Sequence, residues 1–128
     1  MSIKESVYTW IDKNQDAVVT LLQKLIKEPS VNPYFDEEKK YMQEGKAQEV
    51  LKEYLEEMGM EVEYSYPNAQ ELSRYEGKPG YYADHTFEDR PNLFAKLKGT
   101  GGGKSMMMSG HIDVVQRGSK WTKDPFGA

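Results

Sequence analysis

The chain has 128 residues, 38% of them apolar, which suffices for one domain with a real core or for a piece of one. A formal net charge of −4 without any basic block argues against a nucleic-acid footprint or attraction to anionic lipid. The lack of cysteine excludes a disulfide framework, a thiolate zinc site and a thiol nucleophile. No window reaches membrane-spanning length, and the opening MSIKESVYTWIDKNQ has no apolar signal core, so a soluble, cytoplasmic protein is the expectation.

From the N-terminus, Val7, Trp10, Ile11, Val18, Leu21, Leu22, Leu25 and Ile26 recur at helical spacing until Pro29, which predicts one amphipathic first helix. A second helix is predicted from Met42, Ala47, Val50, Leu51, Tyr54, Leu55 and Met58, with Gly59 where a left-handed C-terminal cap belongs. MEVEYS then alternates Met60, Val62 and Tyr64 with Glu61, Glu63 and Ser65, the pattern of a strand with one wet face. Tyr66 to Arg90 loses periodicity and carries Pro67, Gly77, Pro79 and Gly80, reading as a long surface connector on whose outside the tyrosines pack.

NLFAKLKG resumes alternation through Leu93, Ala95 and Leu97, and SMMMSG follows the glycines of GTGGGK, so a strand hairpin is expected here. GTGGGKS also approaches the phosphate-binding pattern G-x-x-x-x-G-K-[ST], but Lys98 stands where the first glycine is needed and an apolar run follows instead of a helix. A turn is therefore preferred to a nucleotide site. Met106 to Met108 reads as sheet core, since a strand buried on both faces is continuously apolar.

His111 and Asp113 follow directly, in MMMSGHIDVV. In an extended segment residues two apart project to one side, so the imidazole and the carboxylate can meet while Ile112 faces away. A histidine that binds a divalent metal keeps one nitrogen free and donates its other N–H to an orienting acceptor, which suits Asp113. Taken alone, the bare H-x-D pattern is better read as a histidine satisfied by a neighbouring aspartate at a strand end. The second histidine, His85, lies in YYADHTFEDR within the irregular connector, where an exposed loop histidine is the ordinary case.

SGHIDVV, followed by Trp121, Asp124, Pro125 and Phe126 in WTKDPFGA, resembles the first metal motif of the zinc-dependent aminoacylase, acetylornithine deacetylase, succinyl-diaminopimelate desuccinylase and carboxypeptidase G family. The likeness extends to RPNLFAKLKGTGGGKS, LIKEPSVNP and LKEYLEEMGMEVE, most of the chain outside Tyr66 to Arg90. It implies an α/β fold, the N-terminal portion of a mixed-sheet zinc exopeptidase-like catalytic domain spanning residues 1–128, with a small dimerisation domain elsewhere. It makes His111 a zinc ligand and Asp113 the carboxylate that holds its imidazole, and gives Trp121, Asp124 and Pro125 the turn after the site.

The resemblance further implies two zinc ions, with cobalt or manganese as alternatives, and hydrolysis of an amide in an N-acyl amino acid or short peptide by a homodimer. The family's bridging aspartate, general-base glutamate and remaining ligands are expected after Ala128. Glu37–Glu38 and Glu56–Glu57 read as solvated charge, so the 128-residue chain alone is expected to be inactive. The reading of another class is a non-catalytic α/β interaction module that keeps a vestigial metal motif and uses its tyrosine-rich stretch for a partner.

Overall fold

The structure, a computed structural model, describes residues 2–35 and 38–128. Four α-helices and two strands form the framework: α1 (Ile3–Lys13), α2 (Gln15–Lys27), α3 (Glu44–Glu57), β1 (Glu61–Ser65), α4 (Ala69–Leu72) and β2 (Asn92–Lys96). Short 3₁₀ turns lie at Pro33–Phe35, Lys39–Tyr41 and Ser73–Tyr75. Glu37 lies outside the described residues, whereas Glu38 pairs with Lys40 at 2.9 Å on the surface.

The predicted first helix is two helices. Asn14 ends α1 and begins α2 with φ −118° and ψ 20°, outside helical geometry. Its side-chain amide donates to the Trp10 carbonyl at 2.7 Å, and its own carbonyl accepts from Ala17 and Val18 N–H to start the next helix. Asparagine competes with the backbone for such bonds, which is why it favours helix ends over interiors. At the other end of α1, Ser2 and Glu5 form a reciprocal capping box, with Ser2 N–H donating to Glu5 at 2.7 Å and Glu5 N–H to Ser2 Oγ at 3.2 Å. Leu21, Leu25 and Ile26 are half-buried as α2 packs against α3, whereas Val7, Trp10 and Ile11 stay exposed.

Helix α3 ends as its glycine predicts. Gly59 has φ +79°, its N–H donates to the Glu56 carbonyl at 2.8 Å, and Met60 N–H reaches back to the Leu55 carbonyl at 3.1 Å. These two bonds are the Schellman pattern, which satisfies carbonyls that the helix end would leave open. Ala47 is fully buried and Val50, Leu51, Tyr54 and Leu55 half-buried, but Met58 at the terminus is exposed.

The hairpin expected between Asn92–Lys96 and the methionine run does not form. β2 instead pairs antiparallel with β1, with Val62 opposite Ala95 and Tyr64 opposite Leu93 on the side packed toward α3, and Glu61 opposite Lys96. Directly opposed residues share a sheet face, so one face pairs apolar with apolar, while the other sets Glu61 against Lys96 and Glu63 against the exposed Phe94. Met106, Met107 and Met108 are unpaired and 82–91% exposed, not sheet core, because nothing among the described residues covers them. No helix begins after Lys104 and Ser105, so the geometry that a phosphate loop needs is not built there.

The connector from Tyr66 to Arg90 is a mixture of irregular chain and turns, interrupted by α4 and the Ser73–Tyr75 3₁₀ turn. Asn68 caps α4 by accepting from Gln70 and Glu71 N–H. The end of the connector is clamped to α3: Arg90 meets Glu44 at 2.9 Å, Gln48 donates to the Pro91 carbonyl, and a Cβ on Gly45 would lie 2.5 Å from the Asp89 carbonyl oxygen. Only glycine permits that approach.

The best-buried part of the molecule lies at Ser30, Val31, Glu44, Ala47 and Pro91. Val31, completely buried, is stitched on both sides of its segment. Its N–H donates to the Tyr41 carbonyl at 2.8 Å and Gln43 N–H donates to Pro29, while a parallel bridge on the other side joins Val31 to Val114. This parallel bridge, together with the antiparallel bridge of Ser30 to Met42, is what the described residues show of the expected mixed sheet beyond β1 and β2. It also brings residues 112–114 to the centre of the fold.

Candidate metal-ligand site

The site grows from that stitch. Val114 N–H donates to the Ser30 carbonyl at 2.9 Å, Asn32 N–H donates to the Val114 carbonyl at 3.0 Å, and buried Ser30 Oγ–H donates to the Ile112 carbonyl at 2.7 Å. Three bonds hold the HID segment against PSVN, a stretch about 80 residues earlier in the chain. Ser30 and Asn32, two apart in an extended piece, both face residues 112–114.

On this base His111 and Asp113 meet as their spacing predicts. His111 Nδ1 lies 2.9 Å from the Asp113 carbonyl oxygen and 3.2 Å from Asp113 Oδ1. Both are acceptors, so the tautomer they select carries its proton on Nδ1 and leaves the Nε2 lone pair open. The other carboxylate oxygen, Oδ2, accepts from the Asn32 side-chain amide at 2.9 Å. The Asn32 amide holds the Asp113 carboxyl below the usual carboxylate range, burial opposes this, and the imidazole bond adds to the lowering. The imidazole itself is open, with 84% of its side chain accessible, against 34% for Asp113.

This donor chemistry fits one ligand of a divalent metal: an exposed, orientation-fixed imidazole with a free Nε2. It does not make a whole site. Among the described residues no three His, Cys, Asp or Glu side chains gather in a way that could hold an ion. His85 belongs to different surroundings, stacking on Tyr82 at 4.8 Å beside a hollow of about 270 Å³ lined by Tyr75, Tyr81 and Phe87.

The residues after the site fold back on it through Tyr41. Arg117 donates to the Tyr41 hydroxyl at 2.6 Å and lies 4.3 Å from the ring centroid, with Glu38 at 3.3 Å. Trp121 Nε1–H donates to the Arg117 carbonyl. Asp124 accepts from Phe126 N–H at 3.0 Å, and Phe126 stacks on Tyr41 with centroids 5.4 Å apart. Trp121 and Asp124 thus act on the shape of the chain beyond the site. Sequence reasoning missed Ser30, Asn32, Tyr41 and Arg117. Only the polar–apolar–polar order of Ser30, Val31 and Asn32 signalled a segment with a buried side and a bonding side.

The whole chain is similar to part of a curated protein, the N-formyl-4-amino-5-aminomethyl-2-methylpyrimidine deformylase of Halalkalibacterium halodurans, at 28% identity over 134 aligned positions. The chain spans about a quarter of the length of that relative. No family model matches, and no solved structure matches significantly. Among the described residues no helix is long and apolar enough to cross a membrane.

Proposed function

We propose that this chain forms the first part of the catalytic domain of a zinc-dependent amidohydrolase, in which His111 ligates zinc through Nε2 and Asp113 fixes its imidazole. The observation that carries the proposal is the His111–Asp113 pair itself, an accessible ring whose Nδ1 is held and whose Nε2 is free. The similarity along the whole chain to a protein named as a deformylase supports amide hydrolysis as the reaction.

The bound zinc would lower the pKa of a coordinated water and polarise the substrate carbonyl. Of this chain's residues, His111 donates the nitrogen, Asp113 keeps the proton on Nδ1, and Ser30 and Asn32 hold the segment that presents them. The general-base glutamate, bridging aspartate and further ligands belong to polypeptide outside these residues. The substrate class is an N-acylated amino compound, with the N-formyl group as the first choice because of the relative's name. The full-length enzyme is proposed to be a cytoplasmic homodimer with two zinc ions, taking deacylase, desuccinylase or peptidase substrates if formyl amides fail.

The test is a panel of N-formyl, N-acetyl and N-succinyl amino compounds offered to the full-length protein before and after chelation, then with zinc restored. Hydrolysis of at least one amide, abolished by the chelator and recovered with zinc, is expected. Chelator-insensitive hydrolysis, or none on any amide, contradicts the proposal and favours a binding module.

A further inference from the structure

We infer that Asn32 is a positioning residue for the metal-binding histidine: its side-chain amide turns the Asp113 carboxylate so that the opposite oxygen faces His111 Nδ1. The inference rests on the amidohydrolase reading above and concerns a residue to which that reading gives no role toward the metal beyond holding the segment.

The geometry is a relay of three side chains. Asn32 Nδ2 donates to Asp113 Oδ2 at 2.9 Å while Asp113 Oδ1 stands 3.2 Å from His111 Nδ1. The amide's orientation is itself determined, because Asn32 Oδ1 accepts from Tyr34 N–H at 2.9 Å, which leaves only the NH₂ end for the carboxylate. The backbone of Asn32 is equally fixed. Its N–H is bonded to Val114, fully buried Val31 precedes it, and Pro33 restricts its dihedral angles.

A plain structural clip is the competing explanation, and the bonding pattern argues against it. Residues 30–32 are already joined to 112–114 by the Ser30 Oγ, Val114 N–H and Asn32 N–H bonds, none of which uses the Asn32 amide. The amide's donor end goes to the one carboxylate oxygen that the histidine leaves. A carboxylate able to rotate would leave Nδ1 only the Asp113 carbonyl as partner, and the ring would lose one of two contacts that aim Nε2. Loss of a group that holds a metal ligand's hydrogen-bonding partner typically changes metal affinity 10- to 100-fold, about the range expected here.

The experiment uses the full-length protein and zinc alone as probe, with dissociation constants from competition against a chelating dye, and melting of the metal-free form measured in parallel. Two variants separate the roles. Asn32→Ala removes the amide and leaves the three other bonds between the segments in place, whereas Asn32→Asp keeps the size and the acceptor for Tyr34 N–H but sets a carboxylate against Asp113. Both are expected to weaken zinc binding by about 10- to 100-fold, with Asn32→Ala melting close to the parent and Asn32→Asp below it because the two carboxylates repel. Saturating zinc should restore the hydrolytic rate with substrate KM unchanged. Asn32→Ala binding zinc as tightly as the parent, while His111→Ala does not, overturns the positioning role and leaves the zinc reading standing. His111→Ala binding zinc like the parent overturns both.

Discussion

Replacing Gly45 by alanine sets two effects of opposite sign against each other. Gly45 is the second residue of α3, where alanine would ordinarily improve the helix by up to about 1 kcal/mol. Here the new methyl would sit 2.5 Å from the Asp89 carbonyl oxygen and 3.3 Å from its carbonyl carbon. Both are backbone atoms, and Asp89 is already in a left-handed conformation at φ +54°, so no flexible side-chain tip can yield. Overpacking of this kind costs about 1–3 kcal/mol, which outweighs the helix gain. Relief requires the end of the connector to lift from α3, and that strains the Arg90–Glu44 pair and the bond from Gln48 to Pro91. Urea unfolding of Gly45→Ala should show a net loss of about 1–2 kcal/mol, with Lys46→Ala, at an exposed neighbouring position, unchanged within about 0.5 kcal/mol. A stabilised Gly45→Ala would mean that the connector does not approach the helix as described.

Ser30→Ala removes the donor to the Ile112 carbonyl without changing the backbone stitch. Unfolding measurements should show a loss of about 1–3 kcal/mol, and the full-length protein should bind zinc more weakly. Arg90→Leu strips Glu44 of its partner at a site where the two side chains are 17% and 11% exposed, so thermal melting should fall, by less than the roughly 3–5 kcal/mol of a fully buried pair. The capping bond from Ser2 N–H, and then the Ser2 hydroxyl, lower the Glu5 pKa. A carboxylate with a lowered folded-state pKa stabilises above its ordinary value and loses that contribution as pH falls through the lowered one. Circular dichroism on acidification should therefore show α1 fraying in that window, and Glu5→Gln should remove the acid-dependent part. The 128-residue chain by itself should hold zinc weakly and hydrolyse no amide, because His111 is its one identified ligand; a dialysis-resistant ion in the isolated chain would refute this.

Local features were legible in the sequence because neighbouring residues determine them. The glycine that ends α3, the alternation of β1 and the same-side meeting of His111 with Asp113 need only the dihedral preferences of a few consecutive residues. The partner of β2 was not legible. A run of glycines followed by methionines suggested the nearest strand, whereas the actual choice rests on Val62 and Tyr64 offering an apolar face above α3, some 30 residues away. The site divides in the same way: the pair in HID could be read, but Asn32 could not, since its contact with Asp113 spans 81 positions and follows from the burial of Val31 between two segments. The break at Asn14 has a local cause, the preference of asparagine for helix ends, and the five polar residues from Asp12 to Asp16 interrupt the apolar period there.

Elemental analysis of the full-length protein decides whether His111 ligates zinc. Equilibrated with zinc and freed of excess, the parent protein should retain about two ions per chain, as in two-metal hydrolytic sites, and His111→Ala should retain fewer while staying folded. Equal zinc content in the two proteins would contradict the account and leave His111 as a surface histidine satisfied by Asp113.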